Sequence, residues 1–562
     1  MTEGKSLVSR RKWLQHLSAA STASGLLASH AAARDNNLGG TDTGNRGGTK
    51  TFNIREFGAK GDGKTLDTAA LQAAIDECHK DQGGTVVVPA GEFVVGTIEM
   101  KSNVTLSIAA QGKLLGSVDG RQYHAADAIP LSGDDTLKDG NVGLIFAVSA
   151  KNITIEGPGT IDGQGAQFHS PSRGVLPPSG RGGNDRPYHL LFYRCKNLRV
   201  RDIFLFNSAY HSVRVIDSDF VWCHGIHIYN RVNINNDGFH FISSRHVHIT
   251  NCDVQTEDDA CALFGSCKNV TVTNSTFSTR WAVFRFGFRT ARPENITISN
   301  CVIYETYGCP IKMEFGPDSQ AQNILFSNLV MHDVTGPISI DLDARRREGG
   351  GVDGANGYVR NIMFQGIRAQ VVSNWRQLPD LPFERQYNPG ETRQCIVLNC
   401  VGDAFLEGIV FSDVQVTYGG GGTAEESSRQ VREVAGEYFQ IGTPPAYALY
   451  ARRVRGLTLS NVRFDVEQPD LRPALVFDQV VDVSINGLSA QANQQADCLL
   501  RLIGSRDVLV SAARVLTPAA VFLQVEGPAS ESITVDGGDL SKAGAPVMFK
   551  AGAAEKAVKL RM

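Results

Sequence analysis

Residues 268–274 read Lys-Asn-Val-Thr-Val-Thr-Asn, and residues 294–300 read Glu-Asn-Ile-Thr-Ile-Ser-Asn. Each holds a short alternation of apolar and polar residues between two asparagines, the pattern of a strand buried on one face and closed by turns. The phrase recurs in both directions. It stands at Asn103, Asn152, Asn197, Phe220 and His246 on one side, and at Asn323, Asn361, Gly408, Gly456, Asp482, Asp507 and Ser532 on the other. The intervals from Asn197 to Asn323, and again from Gly456 onward, fall between 23 and 28 residues. A unit that short cannot bury its own face, so copies must stack. The expected fold is all-β: a single-stranded, right-handed parallel β-helix with inward ladders of Val, Ile and Leu. A β-propeller would need about four strands per repeat of roughly 40 residues.

Around this core the chain carries other signals. Thr68 to Lys80 sets Leu71, Ala74, Ile75 and Cys78 at helical spacing, which predicts a helix capping the N-terminal end. Thr85-Val86-Val87-Val88-Pro89 reads as a buried strand stopped by proline. Stretches 120–140, 166–187, 341–358, 372–394 and 418–445 are rich in Gly, Pro and charge. They are expected as loops between coils, where binding surfaces are usually built. The catalytic β-helix is expected over 51–562, after a polar linker at 34–50.

The N-terminus reads as a targeting segment. Ser9-Arg10-Arg11-Lys12-Trp13-Leu14 precedes an Ala/Ser-rich run and small residues at Ala31-Ala32-Ala33. That is the pattern of a twin-arginine signal, with Trp13 where Phe is commoner, cleaved near residue 33. Export through the twin-arginine machinery to the periplasm or the medium is expected, with no membrane attachment once the signal is removed. Residues 1–33 hold four Lys or Arg and one Glu, so their loss takes the net charge from −3 to −6. A global basic field is therefore absent and nucleic acid is not an expected partner. The eleven cysteines are scattered without metal-ligand spacing. No disulfide framework is expected, and a monomer is.

Three carboxylates recur at the repeat distance. Asp237 closes Asn235-Asn236-Asp237-Gly238, and Asp258-Asp259 follow 21 residues later, about one coil on. Stacked on adjacent rungs, they would crowd several negative charges together and raise the pKa of one member. Inverting glycoside hydrolysis needs a protonated acid beside an ionised base. Each motif alone is also an ordinary turn; the order and spacing together favour chemistry.

Those residues resemble glycoside hydrolase family 28, the polygalacturonases and related pectin hydrolases, from about Thr51 to the C-terminus. Phe57-Gly58-Ala59-Lys60-Gly61-Asp62-Gly63, Gly157-Pro158-Gly159-Thr160-Ile161-Asp162-Gly163-Gln164-Gly165 and Arg186-Pro187 add to the likeness. The family's Asn-Thr-Asp motif is matched by Asn235-Asn236-Asp237, and its Asp-Asp pair by Asp258-Asp259. The resemblance implies Asp258 as general acid, with Asp237 and Asp259 holding and activating water. It also implies a polysaccharide or oligosaccharide substrate, galacturonan or rhamnogalacturonan in type, and neither cofactor nor metal. Two motifs depart from the pattern. Ser278-Thr279-Arg280-Trp281-Ala282 stands where the family has Gly-His-Gly, and Pro310-Ile311-Lys312 where it has Arg-Ile-Lys.

Lys312 is thus the surviving basic residue, and Arg280, Arg285 and Arg289 are candidates to replace lost charge. Arg285 and Trp281 fall on one face of a strand by alternation. His240 is the first candidate for the missing histidine, and Asn235 a substrate contact. Tyr210-His211 reads as a sugar wall, Arg345-Arg346-Arg347 as a solvated loop or a contact for an acidic polymer, and Trp375 as a stacking platform or an anchor for its own loop. His224-x-x-His227 and His246-x-His248 lack a third metal ligand. Two other classes stay open: a Ca²⁺-dependent pectate-type lyase, whose product would be unsaturated and whose activity EDTA would stop, and a non-catalytic glycan-binding solenoid.

Overall fold

The computed structural model describes residues 49–561 apart from 133–134, 171–173, 288–289, 346–356, 379–380, 382–386, 389 and 437–438. The signal segment 1–33, linker residues 34–48, Arg289, Arg346 and Arg347 lie outside the described residues. Among the described residues no helix is long and apolar enough to cross a membrane.

The strands form two long sheets, one of 25 strands and one of 15, in which each coil pairs in parallel with the coil before and after it. The chain is a right-handed parallel β-helix. A strand stands at each repeat of the asparagine phrase, Lys268–Thr273 and Glu294–Thr306 among them. The asparagines themselves turn the corners. Asn269, Asn295, Asn323 and Asn361 all hold φ between 56° and 58°. That left-handed conformation costs most residues about 1–2 kcal/mol, and Asn is among the few that visit it routinely. Their side chains also form a ladder from coil to coil. Asn295 Nδ2 donates to Asn269 Oδ1 at 3.2 Å, Asn323 to Asn295 at 3.1 Å and Asn361 to Asn323 at 2.7 Å. Gly408 and Gly456 continue the column, at φ 60° and 70°. Phe220 and His246 occupy the same corner and stack on each other at 4.7 Å.

Inside, each register position is an apolar column. Val200, Cys223, Ile249, Val272, Ile298, Phe326, Phe364 and Phe411 follow one another on successive coils. The three phenylalanines stack nearly parallel at 5.0 and 4.9 Å. Each such side chain contributes roughly 1.5–3 kcal/mol through burial. Helix α1, Thr68–Lys80, covers the N-terminal end with Leu71, Ala74, Ile75 and Cys78 buried. A short helix α2, Ala424–Ser428, was not foreseen; Thr423 and Glu426 close its capping box. The preceding strand, Leu406–Gly420, runs past the expected loop start at 418, and strand Ile338–Ala344 likewise enters the 341–358 insert. All eleven cysteines are buried and unbridged.

Candidate active site

Five consecutive strands of the 15-stranded sheet position the site: β1 Val213–Ile216, β2 Phe239–Ile242, β3 Cys261–Phe264, β4 Phe284–Gly287 and β5 Ile311–Phe315. Alternate residues face inward, as Val213, Phe239, Cys261, Phe284 and Ile311 do. The next register position faces outward and reads Arg214, His240, Ala262, Arg285, Lys312. Basic side chains thus flank one small residue, and Ala262 belongs to the coil that carries Asp258 and Asp259.

The carboxylates arise from the turns entering β2 and β3. Asn236 is fully buried and fixes the first turn: its Oδ1 accepts from Val232 N and Asn233 N at 3.1 and 2.7 Å, and its Nδ2 donates to Ser208 O and Tyr210 O at 3.0 and 2.8 Å. Arg186 ties the same turn down, donating to Ile234 O at 2.6 Å and to Asn235 Oδ1 at 3.3 Å. The two turns are then joined directly. Gly238 N donates to Asp259 O at 2.9 Å, Asp258 N to Asn236 O at 3.2 Å, and Asn235 Nδ2 to Asp258 Oδ2 at 3.1 Å. Asp259 N donates to Asp258 Oδ1 at 2.9 Å, and Ala282 N to Asp259 Oδ1 at 3.3 Å. Asp237 and Asp259 are buried, while Asp258 is partly exposed.

Asp237 lies against two histidines. His240 Nδ1 meets its Oδ2 at 2.8 Å and His211 Nδ1 its Oδ1 at 3.2 Å. Burial, with Asp258, Asp259 and Asp139 nearby, pushes the Asp237 carboxyl well above the usual range against the pull of Arg214. The charge crowding expected from the sequence is thus felt at Asp237. Burial likewise pushes His240 well below the ordinary imidazole value, with Arg214 adding to it, and pushes His211 down, helped by His240 and Arg214. A carboxyl raised on folding contributes stability that is present below its unfolded value and lost as pH rises through the folded one. Asp237→Asn is thus expected to gain stability relative to wild type as pH climbs from about 4 toward neutrality, while losing turnover. Urea unfolding at several pH values measures this; a variant that instead loses ground with rising pH refutes it.

The basic candidates divide. Arg285 and Lys312 are register neighbours in the outward column, and Arg285 Nη2 pairs with Glu314 Oε2 at 2.6 Å. Lys312 Nζ lies 4.1 Å from the centroid of the Trp281 ring, so these two meet. Arg280 is buried beside Trp281, its guanidinium 5.4 Å from that ring and covering Tyr387 at 4.0 Å; Nη1 donates to Tyr307 O at 3.1 Å and lies 3.7 Å from Glu391 Oε1. Two inserts close over this end of the groove. Tyr387 and Glu391 belong to 372–394, and Phe439 of 418–445 meets Trp281 edge-on at 6.2 Å. Trp375 stacks on Tyr387 at 3.9 Å and keeps its other side exposed.

Tyr210 and His211 form no open wall. Both are buried, Tyr210 between Tyr188 at 4.9 Å and Arg186 at 4.1 Å, because insert 120–140 folds over them. Arg345 is exposed and paired with Asp343 at 2.7 Å. His224, His227 and His246 each face their own aspartate, Asp202, Asp253 and Asp219, and His248 meets Thr271. Arg214, Glu314 and Asp139 escaped the sequence reading. Arg214 left one trace, a cation inside the otherwise apolar strand Val213–Ile216; Asp139 meets it from 75 residues away and left none.

The profile described as Glycosyl hydrolases family 28 matches residues 78–437. Polygalacturonase-2 of Solanum lycopersicum is 26% identical over 71% of this chain and 81% of its own length. An exopolygalacturonase of Platanus acerifolia is 27% identical over 52% of this chain and 74% of its own. Among solved structures, the family 28 exopolygalacturonase of Yersinia enterocolitica superposes with a TM-score of 0.59 at 20% identity, covering 78% of this chain and 79% of that one.

Proposed function

The chain belongs to glycosyl hydrolase family 28, and from that premise we propose that it is an exported, monomeric, inverting hydrolase of acidic pectic chains of galacturonan or rhamnogalacturonan type. The observation that carries this is the juxtaposition of Asp237, Asp258 and Asp259 on two joined turns beside an outward column of basic residues interrupted at Ala262. Arg285 and Lys312, on the coils that follow, suit an anionic chain.

Charge crowding retains a proton within the carboxyl cluster, and for coupled groups that proton belongs to the cluster as a whole. Asp258, the partly exposed member, is where a leaving glycosidic oxygen collects it. Asp259 and Asp237 take the proton of the attacking water on the opposite face. The C–O bond breaks, one water is consumed and a new reducing end is formed. Polygalacturonase activity of the relatives supports the pectic substrate. The inserts packed on Arg280 and Trp281 support a blocked groove, hence action from a chain end. Residues 1–33 support twin-arginine export.

Incubation with polygalacturonate, rhamnogalacturonan and their oligomers tests this. New reducing ends without ultraviolet-absorbing unsaturated product, released as short oligomers from the first minutes, are expected. Unsaturated product would overturn the hydrolytic assignment, and an immediate fall in viscosity would overturn chain-end action.

A further inference from the structure

His211 and His240 are held in one arrangement that the hydrolytic chemistry leaves unused. Their rings stack at 4.4 Å with only 12° between planes, and both present Nδ1 to Asp237. His211 Nδ1 also faces Asn235 O at 3.1 Å. A carbonyl oxygen only accepts, so this nitrogen carries the proton and Nε2 of the neutral ring holds a lone pair. An ion bound at His240 Nε2 fixes the same tautomer there, with Nδ1 donating to Asp237 Oδ2. Both rings are at least 97% buried, and both Nε2 atoms have no hydrogen-bond partner. The two histidines converge with Asp139, one ligand atom from each of the three residues lying within 4.8 Å of the others.

We propose that Asp139, His211 and His240 bind one divalent transition-metal ion of the Zn²⁺ class, immediately behind Asp237. Two imidazole nitrogens and one carboxylate oxygen are borderline donors, which suit Zn²⁺ and not Ca²⁺. Metal-binding histidines commonly donate their second ring N–H to a carboxylate, and here Asp237 receives two. Tetrahedral Zn²⁺ sets its ligand atoms about 3.4 Å apart, so the three groups draw together when the ion enters, and a water takes the fourth position. Arg214 opposes the ion, its Nη1 lying 3.3 Å from Asp139 Oδ2; Asp139 and the Asp237, Asp258 and Asp259 cluster supply the offsetting negative charge. The histidines at 224, 227, 246 and 248, which the sequence singles out by spacing, take no part. His211 and His240 come together across two neighbouring coils, 29 residues apart in sequence.

Binding is measured on the metal-stripped full chain without substrate, so its outcome is separate from that of the hydrolase proposal. Isothermal titration with ZnCl₂ is expected to give one ion per chain, and CoCl₂ the visible absorption of a tetrahedral nitrogen-ligated ion. His211→Asn and His240→Asn keep an N–H near the place of Nδ1 while deleting Nε2. Each is expected to weaken Zn²⁺ at least about 10-fold, whereas His246→Asn leaves binding unchanged. Substoichiometric binding by wild type overturns the proposal whether or not the variants fold. So does binding that survives both asparagine variants in folded protein, or that disappears in His246→Asn.

Discussion

Asp258→Asn is expected to leave a folded protein whose turnover on pectic oligomers falls by about 10²–10⁴, the usual contribution of a positioned acid or base. The side chain is partly exposed and keeps its shape on substitution, so the scaffold has little reason to change. One contact persists, the amide oxygen still accepting from Asp259 N, while the amide nitrogen replaces the oxygen that accepted from Asn235 Nδ2, an exposed contact of small cost. What the amide lacks is an exchangeable acid proton for the leaving oxygen. The loss should fall on kcat with KM nearly unchanged, the signature of an interaction made in the transition state. Initial rates of reducing-end release, with circular dichroism as the folding control, measure it. A variant within threefold of wild type would remove Asp258 from the chemistry and send the acid role to Asp237, the carboxyl that the site itself raises.

Gly238→Ala is expected to damage stability and rate together. The added methyl would lie 2.5 Å from Ala260 O and 2.8 Å from Val254 Cγ1, and neither the backbone carbonyl nor the core valine can step aside freely. Overpacking of this kind costs about 1–3 kcal/mol. The position matters more than the amount. Gly238 follows Asp237 and donates to Asp259 O, so any relief of the clash pushes apart the two coils that carry the proposed catalytic carboxylates. A displacement near 1 Å in such a site can cost about 10² in rate. A lowered urea midpoint with a kcat reduced by that order is expected. A destabilised variant with unchanged kcat would show that the coils absorb the methyl elsewhere and that the Asp237–Asp259 spacing is not critical.

The repeat phrase carried the fold because it encodes a backbone requirement. Asn269, Asn295 and Asn323 are asparagine because the corner is left-handed and the side chains bond along the axis, so local chemistry and global architecture coincide. Asp237, Asp258 and Asp259 were legible for the same reason: register converts sequence spacing into adjacency. The basic residues were only half legible. Arg285 followed from strand alternation and Lys312 from the surviving Ile-Lys pair, but Arg280 lies in the turn before β4 and disappears beneath Tyr387 and Glu391 of an insert. Nothing in residues 278–282 announces that cover. Asp139 was invisible, because an irregular loop obeys no period and reaches His211 and His240 by tertiary packing alone.

In this molecule the floor and the roof of the groove have different ages. In a coil stack each turn leans only on its neighbours and growth propagates along the axis. Strands β1 to β5 and all three aspartates are present once residue 315 has been synthesised. The residues that cover Arg280 and Trp281 arrive later, Tyr387 and Glu391 first and Phe439 last. A nascent chain stalled between these points already holds its three carboxylates, but as an open trough. The proposed cover over one end is a late addition in biosynthesis, made by segments that follow β1 to β5 in the chain.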